Sequence, residues 1–166
     1  MITRGVEANM AFHVVLVEPE IPANTGNISR TCAGTGTHLH LVKPLGFSIE
    51  DKDLKRAGLD YWPHVKLHVH ESFEEVLEQY GGGRMFFATT KGSRGYTEFE
   101  YQDGDMFVFG RETKGLPDDI LSRFPERRIR IPINDHIRSL NLSNSVAIVL
   151  YEALRQAGFP ELVVQK

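Results

Sequence analysis

Hydrophobic positions along this chain fall into two alternating kinds of run. Phe12 to Val17 is nearly all apolar and holds three β-branched valines, the pattern of a strand buried on both faces. Leu39 to Val42, Val65 to Val69, Met85 to Thr89, Met106 to Phe109 and Ile129 to Ile133 read as further short strands. Between them the apolar spacing opens to three and four residues. Ser72-Phe73-Glu74-Glu75 forms a capping box that opens a helix through Tyr80, and Gly81-Gly82-Gly83 closes it. Asn24 to Ala33 and Asp51 to Ala57 are shorter helical candidates. Pro117-Asp118-Asp119 begins another, with proline in the first turn and acids at the positive end of the helix dipole. The clearest helix is the last: Leu142, Val146, Val149, Leu150, Ala153 and Ala157 make one apolar stripe, and Gly158 then Pro160 supply a stop.

Strands alternating with helices, without linker or internal repeat, predict one α/β domain on a mostly parallel sheet flanked by helices. Ligands of such sheets sit at the carboxyl ends of the strands, so the loops there are where chemistry is expected. The length of 166 residues suits a single domain with a full core. Apolar content of 41% and charged content of 25% exclude wholesale disorder. Cys32 is the only cysteine, which rules out an intrachain disulfide and a Cys-rich zinc framework and fits a reducing compartment. No apolar run approaches the ~20 residues of a membrane span. The first ten residues carry Arg4, Glu7 and Asn9 where a signal peptide would be apolar. A soluble, cytoplasmic protein with no membrane partner is expected. Nineteen basic against 22 acidic residues give a net charge of −3 and a pI of about 6.2. That balance speaks against strong sequence-independent binding to nucleic acid but leaves local patches open, at Arg127, Arg128 and Arg130 and at Lys52, Lys55 and Arg56.

Two glycine loops fail familiar tests. Gly34-Thr35-Gly36-Thr37-His38-Leu39 lacks the third glycine of a dinucleotide fingerprint and precedes a strand where the fingerprint must follow one. Gly110-Arg111-Glu112-Thr113-Lys114-Gly115 has P-loop spacing, but Leu116 and Pro117 stand where a P-loop needs Lys and Ser or Thr. The second loop nonetheless follows a strand at its carboxyl end, and its glycines would let a flat ligand lie against backbone groups. The pairs His38/His40 and His68/His70 alternate onto one strand face; with no carboxylate or cysteine spacing to complete a zinc signature, solvated strand-face histidines are expected. Cys32 reads as a small buried residue. Arg138-Ser139-Leu140-Asn141-Leu142-Ser143-Asn144-Ser145 holds more polar side chains than one helix cap requires, which suggests a pocket lining or a subunit contact in addition to capping.

Three segments together carry a resemblance. They are Pro19-Glu20-Ile21-Pro22-Ala23-Asn24-Thr25-Gly26-Asn27-Ile28-Ser29-Arg30, then Phe109-Gly110-Arg111-Glu112-Thr113-Lys114-Gly115-Leu116-Pro117, then Ile129-Arg130-Ile131-Pro132-Ile133 continuing through Arg138 to Ser145. In order and spacing they resemble the SPOUT superfamily of methyltransferases, and within it the compact TrmL branch of tRNA (cytidine(34)-2′-O)-methyltransferases. Arg56-Ala57-Gly58-Leu59-Asp60-Tyr61 is similar to the same branch. The match runs from about Phe12 to Gly158; residues 1–11 read as a flexible N-terminal extension and 12–166 as a single methyltransferase domain. Departures are modest: many members have proline where this chain has Arg111, and arginine where it has Lys114.

The resemblance implies a C-terminal trefoil knot, which nothing in the periodicity predicts, together with an obligate homodimer and S-adenosylmethionine (SAM) as methyl donor without a metal. It implies cofactor contacts at Ala88, Thr89, Gly110, Ile131, Ser139 and Leu140. It implies methyl transfer to the 2′-oxygen of the wobble nucleotide, a cytidine or modified uridine in the anticodon loop, with leucine tRNAs as substrates. Arg30 is expected beside the target ribose, Glu112 and Asn141 are expected to orient ribose and cofactor, and Arg30 with Arg138 to contact RNA. Methylation of another tRNA position or of rRNA, and a non-catalytic SAM-binding role on RNA, stay open at this point.

Overall fold

The computed structural model describes residues 11–50, 61–92 and 94–164, together with Lys52, Leu54 and Arg56. Expectations for residues 1–10, and most of those for Asp51 to Ala57 and for Ala57-Gly58-Leu59-Asp60, lie outside the described residues; Lys52, Leu54 and Arg56 are helical. Six strands, β1 (His13–Val17), β2 (His38–Val42), β3 (Lys66–His70), β4 (Met85–Ala88), β5 (Met106–Phe109) and β6 (Arg128–Ile129), form one sheet in the order β3-β2-β1-β5-β4-β6. All five pairings are parallel. Between and after the strands lie α1 (Pro22–Thr35), α2 (Phe73–Tyr80), α3 (Asp118–Arg123) and α4 (Leu142–Gln156).

Both faces of the sheet are covered, which is why β1 is apolar without a break from Val14 to Val17. On one face Val14, Leu16, Leu39, Leu41, Phe107 and Phe109 pack against Ile28 and Cys32 of α1 and Val146, Val149, Leu150 and Ala153 of α4. On the other, Val15, Val17, Val42, Met85, Phe87 and Val108 meet Phe73 and Val76 of α2 and Ile120 and Leu121 of α3. Cys32 is fully buried, and burial pushes its thiol up to about 12.

Three expectations are corrected at the ends of elements. The strand predicted over Ile129 to Ile133 stops at Ile129, because Pro132 has no N–H to donate and Arg130 turns away to bridge Gly95 in the β4–β5 loop. Arg130 donates its amide to the Arg94 carbonyl and accepts from Tyr96, both at 2.9 Å. In α2 the Ser72 hydroxyl accepts from the Glu75 amide, but the Glu75 carboxylate reaches the amide of Glu71, so the capping box closes one residue upstream. Pro117 is the N-cap of α3 and lies just before its first turn.

The histidines overturn a fourth expectation. His40 is fully buried and His70 nearly so. The parallel register sets His13 beside His38 and His40 beside His68, with ring centroids 4.6 and 4.5 Å apart. Ring nitrogens bond diagonally: His13 Nδ1 to His40 Nε2 at 2.8 Å, His38 Nδ1 to His68 Nε2 at 2.9 Å and His40 Nδ1 to His70 Nε2 at 2.9 Å. Each such bond needs one ring nitrogen with its hydrogen and one bare, a pattern that neutral imidazoles satisfy. Tyr80, at the end of the short α2, sets its ring edge against His40 and His70. Imidazoles thus fill the stretch of sheet that α2 is too short to cover with apolar side chains.

Burial first, then the neighbouring rings, lowers the pKa of His13 to about 4 and of His40 to about 2; His38, His68 and His70 shift down as well, mainly by burial. Lys66 opposes a charge on His13 and His38, while Asp103 favours one on His13 and Glu75 one on His70. An unfolded chain takes a proton on each imidazole near pH 6.5, whereas the folded chain excludes it until well below that. Stability is therefore full above about pH 6.5 and falls as the pH drops from there toward 4. The thermal midpoint is expected to fall by about 5 °C or more between pH 7 and pH 5. The drop should shrink in His13→Asn; a midpoint flat across that range would contradict the account.

Candidate functional site

The carboxyl ends of β4, β5 and β6 open into a cavity of about 590 Å³, closed on its remaining sides by the starts of α1 and α4. Position follows from topology, since each loop here leaves a parallel strand at the same edge. Ala88 and Thr89 end β4, Gly110 follows β5, Ile131 follows β6, and Ser139 and Leu140 precede α4; all six line the cavity. Glu112, Arg138 and Asn141 line it too. Arg30 does not. It sits exposed on α1, with its guanidinium carbon 4.7 Å from the centroid of the Tyr61 ring.

The loop after β5 is fastened to itself. Arg111 donates its amide to the Gly115 carbonyl at 3.2 Å and accepts from the Gly115 amide at 2.8 Å. A Cβ on Gly110 would lie 2.0 Å from the carbonyl carbon of Gly115, so only glycine permits the turn to fold back here. Gly115 takes φ 67, in the left-handed region. This loop is a shaped wall of the cavity.

Asn141 does two things at once. Its Oδ1 caps α4 by accepting from the Ser143 amide at 2.9 Å and the Asn144 amide at 3.4 Å. Its Nδ2 donates to Oδ1 of Asn24 on α1 at 3.2 Å, joining the two helices at the cavity wall. The polar run from Arg138 to Ser145 is thus both cap and lining.

Glu112 meets the β1–α1 loop. Its carboxylate accepts from the amides of Glu20 at 2.9 Å and Ile21 at 3.3 Å. In the other direction Glu20 accepts from the Thr113 amide at 3.1 Å and its hydroxyl at 2.7 Å, bonds that hold the Glu20 carboxyl below its ordinary range. Arg111 pairs with Glu18 at 2.8 Å, and Glu18 has a left-handed φ of 54, uncommon outside glycine.

Sequence reasoning passed over Asn24, Lys91, Leu116 and Ile133, which also line the cavity. Asn24 lay inside a quoted motif, but its partner stands 117 residues away. Lys91 at the rim pairs with Asp118 at 3.0 Å, a contact that no local spacing announces. Of the expected basic cluster, Arg128 spends its guanidinium on the Leu121 carbonyl and Arg127 stacks on Phe86, whereas Arg130 stays exposed at the rim. Among the described residues no group of three or more His, Cys, Asp or Glu is placed to hold a metal ion, and no helix is long and apolar enough to cross a membrane.

Comparison with known proteins places the sequence and the fold. Residues 11–151 match the model of the SpoU rRNA Methylase family. A tRNA (cytidine(34)-2′-O)-methyltransferase of Methylovorus glucosotrophus is 58% identical over 149 residues, covering 89% of this chain and 97% of that protein. A solved structure described as giving insight into 2-OH methylation of C/U34 on tRNA superimposes with a TM-score of 0.86 at 46% identity, covering 90% of this chain and 98% of that one. An AdoMet-bound rRNA methyltransferase from Sinorhizobium meliloti superimposes with a TM-score of 0.78 at 25% identity, over 87% of this chain and 56% of that one. With its whole sheet, its cavity loops, α1 and most of α4 inside the matched span, this chain belongs to the SpoU methylase family, within the SPOUT methyltransferases.

Proposed function

We propose that this chain transfers a methyl group from SAM to the ribose 2′-oxygen of nucleotide 34, a cytidine or modified uridine, in the anticodon loop of tRNA. The observation that carries the reading is the convergence of distant loops on one cavity, where Ala88, Thr89, Gly110, Ile131, Ser139 and Leu140 stand together. The name of the Methylovorus relative and the C/U34 structure support the same choice of substrate.

The cavity fits the cofactor. Its volume of about 590 Å³ suits a molecule of that size. Leu116, Ile129, Ile131 and Leu140 offer apolar surface to a flat base, while Thr89, Ser139 and the backbone around Gly110 offer polar contacts. SAM has no phosphates and so needs none of the P-loop side chains missing here. Bound there, it supplies an already activated methyl on a sulfonium, and no metal is required.

What remains for the protein is placement. Arg30 carries only donors, so its part is to steady the developing 2′-oxyanion and an adjacent phosphate, with the proton leaving elsewhere. Tyr61 holds the guanidinium plane from one side. Asn141 fixes the start of α1 against the start of α4. Glu112, both of whose oxygens meet amides of the β1–α1 loop, acts by orienting α1. Arg138 at the cavity mouth and the exposed Arg130 add cationic contacts for RNA.

A homodimer belongs to this reading, since a net charge of −3 calls for basic side chains from two copies to grip one loop. The exposed apolar Ile21, Ile137 and Tyr151 give a second copy surface to cover. The trefoil knot is part of this reading through the family resemblance, and Arg130, hydrogen-bonded to Arg94 and Tyr96, lies against the β4–β5 loop that such a knot would involve. The cytoplasm, where tRNA is modified, is the corresponding location.

Methyl-labelled SAM and bulk tRNA lacking ribose methylation, with leucine tRNAs tried first, should give a 2′-O-methyl group at position 34 on nuclease digestion and mass spectrometry. Label at another position or only in rRNA would overturn the substrate assignment, and SAM binding without turnover would overturn the activity. Arg30→Ala is expected to keep SAM affinity within threefold and lower the methylation rate by about a hundredfold or more; unchanged turnover would remove Arg30 from the site. Binding of tRNA should weaken steeply with added salt, and Arg138→Ala should reduce the slope by about one phosphate contact.

A further inference from the structure

The helix that carries Asn24 and Arg30 begins without a cap of its own. Ile21 stands at the N-cap of α1 and has no side-chain acceptor, and the first turn contains no acidic residue. A helix start of this kind leaves amide hydrogens unpaired and a partial positive charge unanswered. A carboxylate from another element answers that charge just ahead of the first turn. The Glu112 carboxylate, from the loop after β5, accepts the amides of Glu20 and Ile21.

The contact is crossed. Glu20 reaches back over the same gap and accepts the amide and the hydroxyl of Thr113, the residue after Glu112. Two carboxylates, one from each loop, therefore each hold two donors of the other loop. Behind Glu20 the chain is also fixed. Gly46 donates its amide to the Pro19 carbonyl at 2.9 Å, and a Cβ on Gly46 would lie 2.6 Å from the carbonyl oxygen of Glu20. The Glu20 backbone is thus pressed from one side by the 43–46 loop while its side chain is tied on the other to a wall of the cofactor cavity.

We infer that Glu20 is a positioning residue for the methyl transfer, its crossed clamp with Glu112 and Thr113 setting α1, and with it Arg30, in register with the loop that lines the cofactor cavity. The inference rests on the function proposed above for that cavity and for Arg30. The clamp is partly exposed, so its bonds contribute little to global stability and their effect lies in where α1 is held. A displacement of about 1 Å between reacting groups is enough to cost up to a hundredfold in rate.

The test uses the full chain in three variants. Glu20→Ala should lower kcat by about ten- to a hundredfold while the Kd for SAM, by calorimetry, stays within threefold. Glu20→Gln should recover most of that loss, because its amide oxygen still accepts both Thr113 donors. Thr113→Val, which keeps the amide and loses the hydroxyl, should fall between them. Hydrogen exchange of residues 20–26 should quicken in Glu20→Ala with the rest of α1 and α4 unchanged.

Wild-type kcat in Glu20→Ala overturns the inference, as does a Glu20→Gln variant as impaired as Glu20→Ala, which would mean that the charge itself is what matters. Unaltered exchange in Glu20→Ala overturns the clamp. Failure of the wild-type chain to methylate any tRNA would instead overturn the proposed function, and the exchange measurement would still decide whether Glu20 holds α1.

Discussion

The start of α1 is the constraint on which the site depends. A parallel sheet delivers its loops to one edge, but it does not by itself fix how a helix leaving that edge is rotated or shifted. Here that freedom is removed by contacts to the helix start: the carboxylate of Glu112 on the Glu20 and Ile21 amides just before it, and the amide of Asn141 on Asn24 in its first turn. Each partner belongs to a different wall of the cavity. The helix with the candidate catalytic arginine is thereby referenced to the cofactor loop on one side and to the C-terminal segment on the other.

The same economy explains the doubled use of residues around the cavity. Asn141 caps α4 with its oxygen and grips α1 with its nitrogen. Gly110 permits the cavity wall to close upon itself, because any larger residue would meet Gly115. Within these 166 residues the same side chains serve twice. Capping and site geometry are accordingly carried by the same side chains, so substitutions here are best judged by separating rate, cofactor affinity and folding.

Much of this was legible in the sequence, for reasons that differ from residue to residue. The strands from β1 to β5 and the helix α4 are written in local hydrophobic period, and the structure agrees with them to within about a residue or two. The candidate cofactor residues came through resemblance, and the fold does bring Ala88, Gly110, Ile131 and Ser139 to one cavity. What stayed hidden depends on pairs far apart in the chain. Glu112 looked like a group for the ligand because its partners, Glu20 and Ile21, are about 90 residues distant. The shortening of β6 required knowing that Gly95 would compete for Arg130.

The histidines show the limit most clearly. Period alone places His38 with His40 and His68 with His70 on one face each, and from there a solvated surface was the natural reading. Only the register of three neighbouring strands brings His13, His40 and His70 into bonding distance of one another. Once paired, neutral imidazoles behave as packing material: flat, stackable, and with each polar nitrogen of His40 satisfied by a neighbour. A face that tolerates five histidines near neutral pH is therefore one in which acid removes packing and hydrogen bonding together. The ladder runs across β1, β2 and β3 from His13 to His70, and none of its five histidines lines the cavity, so stability is the quantity through which acid acts first.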